Sequence, residues 1–120
     1  MGERSAIPRF EKSPPELVAR FEAAVARHPE ATRRKMFGYP ALFVGGNLAT
    51  GLFADTWMVR LAPADLEALL RLPGAAPFSP MPGRTMKGYG TLPGVIVADD
   101  AALDEWLRRS LAFTGTLPAK

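Results

Sequence analysis

Apolar residues first recur at helical spacing at Leu17, Val18, Phe21, Ala24, Val25 and His28, the buried stripe of an amphipathic helix. Ser13 as N-cap, Pro14 in the first helical position and Glu16 three residues after Ser13 predict where it starts. Pro29 disfavours helical geometry at His28 and predicts where it stops. From residue 35 to 61 the pattern becomes that of strands. Segments 40–44 and 47–53 flank Gly45-Gly46, a pair suited to a two-residue hairpin turn with positive φ. Ala54-Asp55 is a second such turn before 56–61. Two-residue loops set a register: Phe43 opposite Leu48, Ala41 opposite Thr50, Leu52 opposite Trp57, Thr50 opposite Val59. One face then carries Ala41, Phe43, Leu48, Leu52, Trp57, Val59 and Leu61 and is a core face. The other carries Leu42, Val44, Phe53 and Met58, too apolar to stay bare. It calls for cover by a helix, by a Pro-rich segment or by a second copy of the chain in a homodimer.

Farther along, residues 63–72 read as a short helix with Pro63 in its first turn and Leu66, Leu69 and Leu70 on its buried edge, stopped by Pro73-Gly74. Residues 73–94 hold five Pro and five Gly. Phe78, Met81, Met86 and Tyr89 are the anchors of what should be an ordered loop wrapping the sheet, with a short strand within 86–92. Asp99 or Asp100 caps a final helix whose inner face holds Leu103, Trp106, Leu107, Ser110 and Leu111. Trp57 and Trp106 are both expected in the core. The order is helix, meander, short helix, loop, strand, helix. That is an α+β fold with an antiparallel sheet, since βαβ alternation is missing. The expected layout is a flexible N-terminal arm over 1–12, one domain over 13–114 and a tail over 115–120.

A chain of 120 residues fits one domain, and its lack of cysteine excludes disulfides, thiol catalysis and cysteine metal sites. Its one histidine, His28, reads as a satisfied, partly buried side chain. No apolar run approaches 18 residues, and MGERSAIPRFEK has no apolar signal core, so the expected location is the cytoplasm and no membrane is implied. The formal charge is +3, and residues 1–36 account for it. Arg33, Arg34 and Lys35 form the one tight cluster and are the candidate polyanion contacts. Without a recognition helix they support weak nucleic-acid binding at most. Asp99-Asp100 and Asp104-Glu105 lie at a helix start, where carboxylates complement backbone N–H groups, and are not read as an acid–base pair. Gly45-Gly46 and Gly88-Tyr89-Gly90 do not open a helix after a parallel strand, so no dinucleotide site is indicated. GRTMKGYG, residues 83–90, sets Arg84, Lys87 and Tyr89 on a glycine-flanked loop that can hold an anion. Met36 and Tyr39 complete the candidate ligand or partner contacts. No catalytic residue, metal ligand or cofactor is expected.

Arg34-Lys35-Met36-Phe37-Gly38-Tyr39-Pro40, the hairpin Phe43-Val44-Gly45-Gly46-Asn47, Pro82-Gly83-Arg84-Thr85-Met86-Lys87-Gly88-Tyr89, and the helix start Asp99-Asp100-Ala101-Ala102-Leu103 followed by Trp106 through Leu111 belong together. In combination they resemble the N-terminal domain of the TfoX/Sxy family over roughly residues 14–112. The resemblance implies a small α+β domain. It also implies kinship with regulators of natural competence, thought to act with the cyclic-AMP receptor protein at promoters and usually carrying a further C-terminal helical domain. The chain reads as a stand-alone copy of the N-terminal domain. The family brings no agreed catalytic residues. The expected function is therefore a non-enzymatic regulatory or protein-interaction domain with a protein partner. The alternative is a small-ligand or anion-binding module around Arg84, Lys87 and Tyr89.

Overall fold

The computed structural model describes residues 12–120. Its elements are α1 (Pro15–Arg27), β1 (Thr32–Met36), β2 (Tyr39–Val44), β3 (Asn47–Phe53), β4 (Thr56–Arg60), α2 (Pro63–Leu70), β5 (Tyr89–Thr91), α3 (Gly94–Val97) and α4 (Asp100–Gly115). The five strands form one antiparallel sheet in sequence order, β1-β2-β3-β4-β5. This is the expected α+β architecture. Of the expected N-terminal arm, only Lys12 lies within the described residues.

Helix α1 ends at His28 as Pro29 requires, but its start differs. Pro14 occupies the N-cap without a side-chain cap bond, and Ser13 Oγ instead donates to the Ala54 carbonyl at 2.6 Å, tying the helix start to the β3–β4 turn. At α4, Asp99 caps as expected, accepting from the amides of Ala101 and Ala102. Strand β1 is an addition to the expected meander. It holds Arg33, Arg34 and Lys35, and it joins β2 through Phe37-Gly38, where φ is +56° and +82°, the mirror-image turn that suits the twist of two paired strands. Pro40 is tolerated in β2 because pairing with β3 begins one residue later, at Ala41.

The β2–β3 register starts as expected, with Phe43 opposite Leu48, and then shifts. Leu42 faces Thr50 and Ala41 faces Gly51, so Ala49 is an extra residue, a β-bulge in β3. The bulge exchanges the faces read from the sequence. Leu42 joins Leu52, Trp57, Val59 and Leu61 in the main core against Phe21 of α1, Leu69 of α2 and Leu103 and Leu107 of α4. Ala41 and Leu48 go to the opposite face with Met58 and Tyr89, and Phe43 packs at its margin. Two buried hydroxyls satisfy the carbonyls the bulge displaces. Ser110 Oγ of α4 donates to Ala49 O at 3.0 Å, and Tyr89 Oη donates to Leu48 O at 2.9 Å from the other side.

That second face is covered within the chain. Residues 76–78 run beside β5, with Thr91 N donating to Ala76 O at 2.8 Å and Phe78 N to Tyr89 O at 3.1 Å. Phe78 lies edge-on to Phe53, and Met58 is 4% exposed beneath it. Of the patch that motivated a second copy, Phe53 and Met58 pack with Phe78 of the loop, whereas Leu42 has turned into the main core. Of the loop's expected anchors, Phe78 and Tyr89 are buried and Met86 partly so, whereas Met81 is exposed. Trp57 is fully buried, but Trp106 is only half-buried, with the Arg109 guanidinium 4.7 Å from its ring centre. The C-terminal residues dock on the β2–β3 turn, where Lys120 N donates to Gly45 O at 2.8 Å and Asn47 Nδ2 to Pro118 O at 3.0 Å. Among the described residues, no helix is long and apolar enough to cross a membrane.

Candidate functional site

A strand alternates its side chains between two faces, and this divides the basic cluster. Arg33 and Lys35 lie on the α1 side. Arg34 lies on the other, its guanidinium 5.5 Å from the centre of the Phe43 ring. Arg33 is committed to α1: Nε donates to both Glu22 carboxylate oxygens at 3.0 and 3.2 Å, and Nη2 adds a further contact to Glu22. The hydrogen bonds to Glu22 raise the Arg33 pKa further, so its charge is permanent. Among the described residues no carboxylate pairs with Arg34 or Lys35.

Between α1 and the β1–β2 hairpin runs an open groove of about 490 Å³. Its cations are Lys12, Arg33 and Lys35, and its apolar lining includes Val18, Phe37 and Pro40. At one end stands Phe37, 58% exposed on a left-handed backbone that costs an aromatic residue about 1–3 kcal/mol. Tyr39 borders the same groove, buried against Phe53 with ring centres 5.2 Å apart. The Phe37 ring also stands edge-on to Phe53, with centres 6.3 Å apart. Val18 was expected in the buried stripe of α1 and Phe37 stood only in the family motif; neither they nor Lys12 were among the expected contacts, because nothing in the sequence separates an exposed turn phenylalanine from a core one.

The loop candidates do not converge in the same way. Arg84 and Lys87 are exposed. Tyr89 is 7% exposed and points inward to the Leu48 carbonyl, with the Arg60 guanidinium 5.4 Å from its ring centre. Burial raises the Tyr89 pKa, an effect that the nearby Arg60 charge opposes. The loop is pinned by Met86 N to Phe78 O at 2.8 Å, Arg84 N to Met81 O at 2.9 Å and a Ser79–Thr85 hydroxyl pair at 2.9 Å. Beneath it, a void of about 10 Å³ lined by Met36, Phe78 and Met86 has room for one water at most. Met36 therefore lies with the loop and Tyr39 with the groove.

A second groove, of about 360 Å³, runs between α1 and α3. Its cation is consumed by structure, since Arg20 Nε donates to Val97 O at 2.8 Å and Nη2 to Asp100 Oδ1 at 2.8 Å. His28 is likewise engaged, with Nε2 3.1 Å from Asp104 Oδ1. Among the described residues no cluster of three His, Asp or Glu side chains is placed to hold a metal ion.

Compared with curated proteins and with solved structures, the chain shows no significant match. Residues 23–114, which include β1, the Phe37 turn, the covering loop and α4 up to its last residue, match the TfoX N-terminal domain. At the level of the family this is a regulatory or interaction-type domain. With most of its length inside that match, the chain belongs to the TfoX N-terminal domain family.

Proposed function

We propose that the protein is a cytoplasmic regulatory domain that works by docking a protein partner and not by catalysis. The observation that carries this reading is the groove beside β1, which an exposed aromatic on a strained turn, the cations Lys12, Arg33 and Lys35, and the apolar Val18 and Pro40 line together. Membership of the TfoX N-terminal domain family supports a regulatory role. Control of transcription would then run through the partner and not through the protein's own hold on DNA. The division of Arg33, Arg34 and Lys35 between two faces, with Arg33 held by Glu22, leaves few cations for any one run of phosphates. The anion-binding alternative has less support, because Tyr89 turns away from Arg84 and Lys87.

Affinity capture from the native cell, with the wild-type chain and a Phe37→Ser variant side by side, tests the proposal. A protein retained by the wild type and lost by the folded variant is the expected result. Equal retention by both, or turnover of a substrate by the purified chain, would overturn it.

A further inference from the structure

The sheet has two edges, and the chain treats them differently. Beyond β5, residues 76–78 pair with it and close that edge. Beyond β1, no described residue pairs with the backbone. The β1 register says which groups are left over. A two-residue turn makes Met36 and Tyr39 the hydrogen-bonded pair beside it, and bonded and non-bonded pairs then alternate. Arg34 opposite Ala41 is bonded, whereas Lys35 opposite Pro40 and Arg33 opposite Leu42 are not. The N–H and C=O groups of Arg33 and Lys35 therefore point away from β2, out of the sheet.

We infer that this edge receives an extended acidic peptide segment of a partner protein as an added strand. Such a segment meets the outward amides and carbonyls of Arg33 and Lys35 with its own backbone. Acidic side chains at alternate positions lie toward Lys35 and Lys12 in the groove, where Arg33 is already held by Glu22, and the one between them lies toward Arg34 on the other face. Apolar neighbours on either side of this triplet fall on the Arg34 face, toward Met36 and Phe43. Charge separates this occupant from a second copy of the chain. Antiparallel pairing of two β1 strands about Arg34 would set three cations against three, and like charges directly opposite are destabilising. The inference rests on the docking reading above and names the partner's chemistry.

The probe is the capped peptide acetyl-Val-Asp-Glu-Asp-Val-Thr-amide, labelled and titrated into the full chain by fluorescence anisotropy. Binding is expected, with amide hydrogen exchange slowed at Arg33 and Lys35. Lys35→Glu should weaken it by about tenfold or more. Lys35→Pro removes an outward N–H that the sheet does not use, so the fold should persist while binding falls below that of Lys35→Ala, which keeps the amide. Should Lys35→Pro fail to fold, two peptides N-methylated on alternate amides carry the same test, since strand addition accepts one and rejects the other. Equal binding of both methylated peptides, of a lysine-for-acid peptide or of a single-stranded oligonucleotide overturns the inference. So does binding seen only after removal of residues 1–11, which would give the edge to the chain itself. A dimer in sedimentation equilibrium that Lys35→Pro disperses would give it to a second copy. A partner captured from cells through Phe37 while the peptide fails would leave the docking reading standing and remove this one.

Discussion

Replacing Thr50 by valine keeps the shape of a fully buried side chain and deletes one hydroxyl. That hydroxyl accepts a hydrogen bond from Trp57 Nε1 at 2.9 Å and donates one to the Met58 carbonyl at 2.7 Å, both away from solvent. The indole N–H is left in the core without an acceptor, which costs about 1–3 kcal/mol, and the carbonyl loses a donor. The expected total is about 2–3 kcal/mol, equivalent to a fall in Tm of about 8–12 °C for a domain of this size. Urea melts followed by far-ultraviolet circular dichroism measure it, with an unchanged m-value showing that the folded state keeps its extent. The same substitution made in a Trp57→Phe background, where the donor is already gone, should cost about 1–2 kcal/mol less. A cost below about 0.5 kcal/mol for Thr50→Val, or equal costs in the two backgrounds, would refute the claim that this bond stabilises the centre of the sheet.

The two tryptophans should separate in the same assay. Trp57→Ala is expected to cost about 3–5 kcal/mol, while the half-buried Trp106→Ala loses about 1–2 kcal/mol, so equal losses would contradict the packing. Thr114 Oγ1 is buried and has no hydrogen-bond partner among the described residues, so Thr114→Val should stabilise by about 1 kcal/mol, and a loss in the melt would show that the hydroxyl is satisfied. Burial favours the neutral phenol of Tyr89 in the folded state, so the unfolded chain gives up that proton first, near pH 10.0. Stability should therefore decline as pH rises past this value toward the higher folded pKa. Tyr89→Phe should remove its share of the slope while costing about 1 kcal/mol at neutral pH through the unpaired Leu48 carbonyl. An unaltered slope would count against it.

How legible the fold was depended on whether a residue's environment shows in its own type. The α1 and α4 stripes, the Gly45-Gly46 turn and the Asp99 cap were readable because burial and backbone geometry selected the residues themselves. Strand β1 was not. An edge strand exposed along most of its length has no apolar alternation, and Arg33, Arg34 and Lys35 read as a charge cluster and not as backbone in a ladder. The bulge was hidden because Leu42 and Phe43 are adjacent and both apolar, so either can face the core. Within the candidate site, Arg33, Lys35 and Tyr39 were named from the sequence and do border one groove. Phe37 stood in the family motif but not among the expected contacts, because what sets it apart is a backbone angle. Tyr89 looked like a ligand contact because its actual task, satisfying a carbonyl across the sheet, arises only from a strand irregularity 41 residues away.

Loss of a single residue inside a strand normally turns every following side chain to the wrong face. At Ala49 the arithmetic runs the other way. The pairs Phe43 with Leu48 and Leu42 with Thr50 skip Ala49 already, so a chain lacking it could keep every cross-strand partner and every inward-facing residue, giving up the local bend and the carbonyl that Ser110 holds. Position 49 is thus a place in the sheet where the family's chain length can vary by one without reversing inside and outside. A gap there between two relatives would mark a straightened strand and not a different fold.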